Sequence, residues 1–180
     1  MSETVQRAAA EQIGKHRQLL RSGRDGRILS GLMLPLLRCA PPTGYGVLTT
    51  TGRKTGKPRR RCVRVIRCGD RAYLVALRPP YLAVERPNAT PDWVWNIRAN
   101  SRVRRRIRGQ TFDGIAREVT EDHELSHARA AICDPVYNGD FGECWLHLRG
   151  LPSRAKVQQL HRYWFDTGIP VVIDLKETRP

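Results

Sequence analysis

Six short stretches with strand character recur along this chain, most of them bounded by turn formers. Tyr45 to Thr51 is rich in Val, Leu and Thr. Cys62 to Arg67 places Val63 and Val65 on one face, and Arg71 to Arg78 alternates Tyr73, Val75 and Leu77. Arg102 to Arg108 and Thr111 to Val119 form a predicted hairpin around Gly109-Gln110, and Ile169 to Leu175 closes the series. In the fourth stretch Arg102, Arg104, Arg106 and Arg108 share one face. Val103 and Ile107 share the other, interrupted by Arg105, which gives one wet and one mostly apolar side. The glycines at 44, 46, 52 and 56 lie in or between strands, not at a helix start, so the dinucleotide-binding βα turn is excluded. Short strands in meander order with flanking helices predict a small closed or half-closed antiparallel barrel, of α+β class but mainly β.

The flanking segments read as helices. Ser2 to Ser22 is polar. Arg27 to Arg38 carries Ile28, Leu29, Leu32, Met33, Leu36 and Leu37 on one face, with Pro35 limiting its regularity. That helix fits either a cover over the core or a surface helix resting on a membrane, with Arg24, Arg27 and Arg38 reaching lipid phosphates. Cys39 to Gly44 is a breaker, and Pro79 to Pro91 is a long loop with four prolines. Asp92 to Ala99, Glu121 to Cys133 and Arg154 to Phe165 complete the helices. The expected organisation is one domain over residues 1–180, with 1–38 as an N-terminal helical extension. No run approaches a membrane span, and the first residues lack signal-peptide order. The expected location is the cytoplasm, with residues 24–38 available for peripheral contact on the inner face of the cell membrane. Five dispersed cysteines without a CxxC pair read as reduced structural thiols. His123 and His127 lack a third ligand, so no metal is expected.

Charge is unevenly placed. Residues 39–108 hold 17 basic and 3 acidic groups, a net +14, within a chain whose total is +15. Crowding like charges costs free energy, so an anionic partner is expected in that segment. Its densest part is Gly44 to Arg61, with four glycines, four threonines and six cations. Thr49, Thr50 and Thr51 end a strand with hydroxyl donors. Gly52 and Gly56 permit a turn whose N–H groups can converge on an anion, and Arg53, Lys54, Lys57 and Arg59 add charge. A second run, Pro91 to Asn100, puts Trp93, Asn96 and Ile97 on one helical face; an inward Asn there needs hydrogen-bond partners.

In this order and spacing, TTTGRKTGKPR, a strand ending ALR, and PDWVWNIRANSRVRRRI with a hairpin ending AREVT resemble the deazaflavin (F420)-dependent nitroreductase family of actinobacteria. The resemblance covers about residues 44–120 and the terminal IPVV. It implies a split β-barrel of about six antiparallel strands, similar to FMN-binding split barrels, and coenzyme F420 as cofactor. It places Arg53, Lys54, Thr55 and Arg59 on the cofactor phosphate and glutamate tail, with Arg78 assisting and the tail extending toward Lys57, Arg60 or Arg61. Asp92, Trp93, Val94, Trp95 and Asn96 would lie along the deazaflavin, with Ala76 and Leu77 beside them. Arg64 falls where relatives carry a pocket tyrosine, and Leu77 where they carry a serine-type residue. The cofactor site is therefore expected to be retained and the substrate site altered. Tyr137 is the candidate acid, with Tyr163 as a second.

The function implied is hydride transfer from reduced F420 to a small lipophilic acceptor such as a quinone, nitro compound or activated alkene. The protein would act as a monomer or homodimer without specific nucleic-acid binding. Two alternatives stay open. One is a basic nucleic-acid-binding module, although Arg102 to Arg108 lacks interleaved aromatics. The other is the same barrel holding FMN, haem or a lipid-like ligand.

Overall fold

Two strands that follow one another in the chain stand at opposite edges of a single sheet. The computed structural model describes residues 3–176 apart from 18, 20, 21, 40, 108 and 109. Ser2, Arg108 and Gly109, and the side chains of Leu36, Arg38 and Ile107, lie outside the described residues. The strands are β1 (Tyr45–Thr51), β2 (Pro58–Arg64), β3 (Ile66–Cys68), β4 (Arg71–Ala76), β5 (Arg102–Ile107), β6 (Gln110–Glu118) and β7 (Ile169–Lys176). They form one antiparallel sheet in the order β2-β1-β5-β6-β7-β4-β3. Only Val65 separates β2 from β3, so the chain itself ties the first strand of the sheet to the last and forces the sheet to curl.

Seven strands thus replace the expected six, and the single strand predicted at Cys62 to Arg67 is broken. Val65 is the break: its N–H donates to the Gly44 carbonyl at 2.6 Å, and its side chain is buried in the core. The predicted meander survives only as local hairpins, because β1 next pairs with β5 and β4 with β7. The result is the α+β half-barrel that the strand pattern predicted, with helices outside.

The barrel interior is filled by Leu48, Val65, Leu74, Val94, Val103, Val171 and Ile173 with their neighbours. β7 is apolar on both faces: Val171 and Ile173 point inward, while Val172 packs outward under α5 (Asp122–Cys133) and α7 (Arg154–Thr167). That explains its unbroken IPVVI run. Burial of such side chains gives roughly 1.5–3 kcal/mol each, the main favourable contribution to the fold. A third cluster, including Leu148, Val157, Leu160 and Trp164, joins α7 to α6 (Asn138–His147), a helix in a stretch that had no predicted element.

The remaining helices shape the site. α1 (Glu3–Ile13) packs on α3 (Pro80–Glu85), which interrupts the predicted Pro79–Pro91 loop; Pro80 sits in its first turn, where a missing N–H costs nothing. α2 (Gly23–Cys39) lies across β1 and β2, and α4 (Asp92–Ala99) has the predicted bounds. Arg105, which interrupts the apolar face of β5 in sequence, enters the core with that face. It is 1% exposed, on the same face as buried Leu48 and Val103, and its three guanidinium nitrogens have no hydrogen-bond partner among the described residues. Burial pushes it down to about 9, with nearby Arg67 adding to the effect.

Candidate functional site

The β1–β2 turn is fastened before it can bind anything. Gly52 donates to the Lys57 carbonyl at 2.9 Å, Thr55 and Gly56 donate to the Gly52 carbonyl, and the Lys57 N–H reaches the Thr55 hydroxyl. Gly56, at φ +64, takes the left-handed conformation that this turn requires. The Arg53 N–H donates to Asn96 Oδ1 at 3.0 Å, and Asn96 Nδ2 donates to the Thr50 hydroxyl at 3.0 Å. The expected cradle of converging N–H groups therefore does not form, because those donors hold the turn together. What the turn presents outward is its exposed cationic side chains, Arg53, Lys54, Lys57 and Arg59.

Asn96 is thus the clasp between α4 and the turn, which answers the partner question its sequence position raised. On the same helix Trp93 and Val94 are buried in the barrel core, while Trp95 is 40% exposed, with Arg53 and Arg98 over its ring at 5.5 and 4.5 Å. Asp92 binds Arg27 of α2 at 3.3 Å, closing α2 against the start of α4.

A cavity of about 520 Å³ lies beneath α2. It is walled by β2, β4, the 79–93 segment, the end of α5, and facing residues of α6 and α7. Of the predicted site residues, Arg64, Leu77, Asp92 and Trp93 line it. Arg53, Lys54, Thr55, Arg59, Ala76, Arg78, Val94, Trp95, Asn96 and Tyr137 do not. Arg78 is 5% exposed and donates to the carbonyls of Ala89 and Thr167, so it pins the loop that borders the cavity. Tyr137 caps α6, with its ring against Gly44, where an added Cβ would sit 2.7 Å from it. Tyr163 is buried beside the His16 ring, and burial pushes its hydroxyl up to about 12.

Five arginines line the cavity (Arg24, Arg27, Arg61, Arg64, Arg86) against two carboxylates (Asp92, Glu143), so the space is electropositive overall. Its inner end is different. Arg64 donates to both Asp140 oxygens at 3.1 and 3.3 Å and to the carbonyls of Ile132 and Pro135. Burial favours the neutral acid of Asp140, but the Arg64 bonds and the Tyr137 N–H outweigh it and hold Asp140 below the usual carboxylate range. Burial keeps His147 and His161 neutral, each pushed down to about 4. Burial, with Asp140 adding, raises Glu143 to about 7. Trp164 completes this wall, meeting the His147 ring edge-on at 5.0 Å.

Asp140, Glu143 and His161 offer ligand atoms within 4.8 Å of one another. Arg64 already supplies a positive charge to Asp140, which opposes a metal cation there. No motif had singled out Glu143, His161 or Trp164. Their only signal is spacing: Glu143 and His147 are four apart on α6, and His161 and Trp164 three apart on α7, titratable groups on inward helical faces.

A sequence profile described as F420H(2)-dependent quinone reductase matches residues 37–138, more than half of the chain. Among solved structures, an F420-H2 dependent reductase (FDR-A) is 21% identical, with a TM-score of 0.47, over 74% of this chain and 95% of that one. A domain-swapped dimer is 21% identical, with a TM-score of 0.49, over 83% and 96% of the two chains. A heme binding protein from Mycobacterium smegmatis is 18% identical, with a TM-score of 0.48, over 77% and 49%. By its profile match, the chain belongs to the F420H(2)-dependent quinone reductase family, and it is an oxidoreductase.

Proposed function

We propose that this protein uses reduced coenzyme F420 to reduce a lipophilic quinone within the cavity under α2. The observation that carries this reading is the polarity gradient of one 520 Å³ space, cationic toward α2 and neutral, aromatic and hydrogen-bonding at the α6–α7 end. An electropositive cavity with an exposed cationic turn beside it fits a cofactor carrying a phosphate and a glutamate tail. Arg53, Lys54, Thr55 and Arg59 would hold the anionic part from the turn, with Arg61 contributing from the cavity wall. Trp93, Asp92 and Leu77 would border the ring, while Asn96 positions the turn against α4. When bound, reduced F420 supplies a hydride from C5. The protein's share is to align the acceptor, exclude water and furnish a proton.

The outer side of α2 supports a lipophilic acceptor. Ile28, Leu32 and Met33 are exposed there, while Gly26, Arg27 and Ser30 of the same helix face the cavity. No described helix is long and apolar enough to cross a membrane. A helix with one edge toward lipid and another on the cavity would admit a quinone from a membrane surface.

The test is a turnover screen with reduced F420 against menadione and a nitroaromatic, alongside F420 binding followed by its fluorescence. Menadione should be reduced faster. Preference for the nitroaromatic overturns the acceptor, and absence of F420 binding at tens of micromolar overturns the cofactor.

A further inference from the structure

The inner end of the cavity contains more close oxygen pairs than one hydroxyl can explain. Tyr45 Oη lies 2.8 Å from Asp140 Oδ1 and 2.6 Å from Glu143 Oε2. A tyrosine has one hydrogen to donate, so one of these contacts needs a proton from a carboxyl. Asp140 does not hold it: two Arg64 N–H bonds and the Tyr137 N–H at 2.8 Å all favour its carboxylate. The additional proton therefore resides on Glu143, which donates to Tyr45 while Tyr45 donates to Asp140.

Glu143 also faces the cavity, and so does His161, which is 1% exposed with Nδ1 buried and unpartnered. A ring nitrogen of His161 lies within 4.8 Å of the Asp140 and Glu143 carboxyl oxygens. A buried imidazole with an unpartnered nitrogen and a ring nitrogen close to a protonated carboxyl together form a receiving place for one ligand oxygen. The charged and titratable groups around Glu143 among the described residues are Asp140, Cys144 and His147 on its own helix, Tyr45 on β1, Arg64 on β2 and His161 on α7. Burial pushes both histidines down to about 4, and the Arg64–Asp140 ion pair lies beside them.

We propose that Glu143 is the proton donor of the reduction, giving its carboxyl hydrogen to a carbonyl oxygen of a quinone seated between Glu143 and His161. The proposal rests on the quinone-reductase reading above. A quinone needs two electrons and two protons to become a hydroquinone, and a hydride provides both electrons and one proton. The Glu143 O–H turns from Tyr45 to the acceptor, its O–H bond breaks and a new O–H bond forms on the acceptor, supplying the second proton. The Glu143 carboxylate left behind is 2.6 Å from the Tyr45 hydroxyl, which can turn from Asp140 to stabilise it. Solvent returns a proton as the hydroquinone leaves, matched by the one released when the reduced cofactor is oxidised. Glu143, His147 and His161 all lie beyond the 37–138 span of the family profile, so this donor belongs to the chain's own C-terminal portion.

Infrared difference spectra of the ligand-free protein test the proton directly. A protonated-carboxyl band should vanish with a midpoint near 7 and be missing in Glu143→Gln. With reduced F420 and menadione, kcat of the unaltered protein should fall as pH rises through about 7, because the protonated form is the active one. Glu143→Gln should bind F420 normally, run about 100-fold slower and lose that pH limb. Two results overturn the proposal: no such band in the unaltered protein, or a variant with the original kcat and pH profile. The first needs no variant to fold. If the unaltered protein fails to oxidise reduced F420, the quinone-reductase reading falls, and the infrared band still reports the state of Glu143.

Discussion

The β1–β2 turn and the inner end of the cavity manage charge in opposite ways. On the turn, Arg53, Lys54, Lys57 and Arg59 are exposed, and water screens their mutual repulsion. At the inner end, Arg64 and Asp140 have side chains only 9% and 0% exposed, and they are locked to each other and to main-chain carbonyls. The turn keeps its charges available to an anion. The inner end spends its charges on itself and leaves protons and neutral rings facing the cavity. Substitutions at the inner end should therefore change folding first, and those on the turn binding first.

The largest effect is expected at Arg64. Arg64→Met strands a fully buried carboxylate and removes donors from the Ile132 and Pro135 carbonyls, a loss of roughly 3–5 kcal/mol. Urea unfolding checks it, and a loss below about 1 kcal/mol would break the contrast between the turn and the inner end. Arg105 sharpens the same point with the opposite sign. It is buried like Arg64 but has no hydrogen-bond partner among the described residues for any guanidinium nitrogen. Arg105→Met should raise stability by about 1–4 kcal/mol, since an unpaired buried cation is removed and an apolar chain of similar length replaces it. A lower unfolding midpoint would show that the guanidinium has an interaction these contacts do not include.

Asn96 stands between the two regimes. It is 7% exposed, yet it holds the exposed turn. Asn96→Ala should cost about 1–3 kcal/mol by orphaning the buried Thr50 hydroxyl and releasing the Arg53 N–H. It should weaken F420 binding in parallel, because the turn loses its anchor on α4. Loss of stability with undiminished F420 affinity would separate the turn from the cofactor site.

The same contrast explains what was legible in the sequence. The turn and the helix it is clasped to are built from residues close in the chain: a hairpin turn from Gly52 to Lys57 and a helix with the predicted bounds Asp92–Ala99. Local spacing encodes such pieces, and the resemblance to a deazaflavin-binding family rested on them. Their joint was not legible, since Asn96 to Arg53 spans 43 positions and its geometry depends on how β1 meets α4. The inner end joins Tyr45, Arg64, Asp140 and His161 from four different elements, over separations of 76 residues and more for the Arg64–Asp140 bonds and the Tyr45 contacts. No periodicity records that meeting. Arg64 read as a substituted pocket residue because its partner lay in a stretch with no predicted element. Arg105 read as an interruption of an apolar face, when its side chain does enter the core. Val65 could not be recognised as a break, because a buried valine suits a continuous strand equally well.

The smallest change in folding is expected on the turn, together with a clear change in binding. Lys54 and Arg59 are exposed, and the Arg59 contact to the Thr55 hydroxyl, at 3.4 Å, is long. Lys54→Ala with Arg59→Ala should leave stability within about 0.5 kcal/mol, the usual range for solvent-facing substitutions. If these two side chains hold the anionic part of F420, removing both deletes charge-assisted hydrogen bonds, and affinity should fall about 10- to 100-fold. The deficit should narrow with added salt, because exposed charges act through a screened field. Fluorescence titration at two ionic strengths measures both effects. An unchanged Kd would move the anion site off the turn and onto the arginines that line the cavity, Arg24, Arg61 and Arg86, where burial of Arg61 already weakens its hold on a proton.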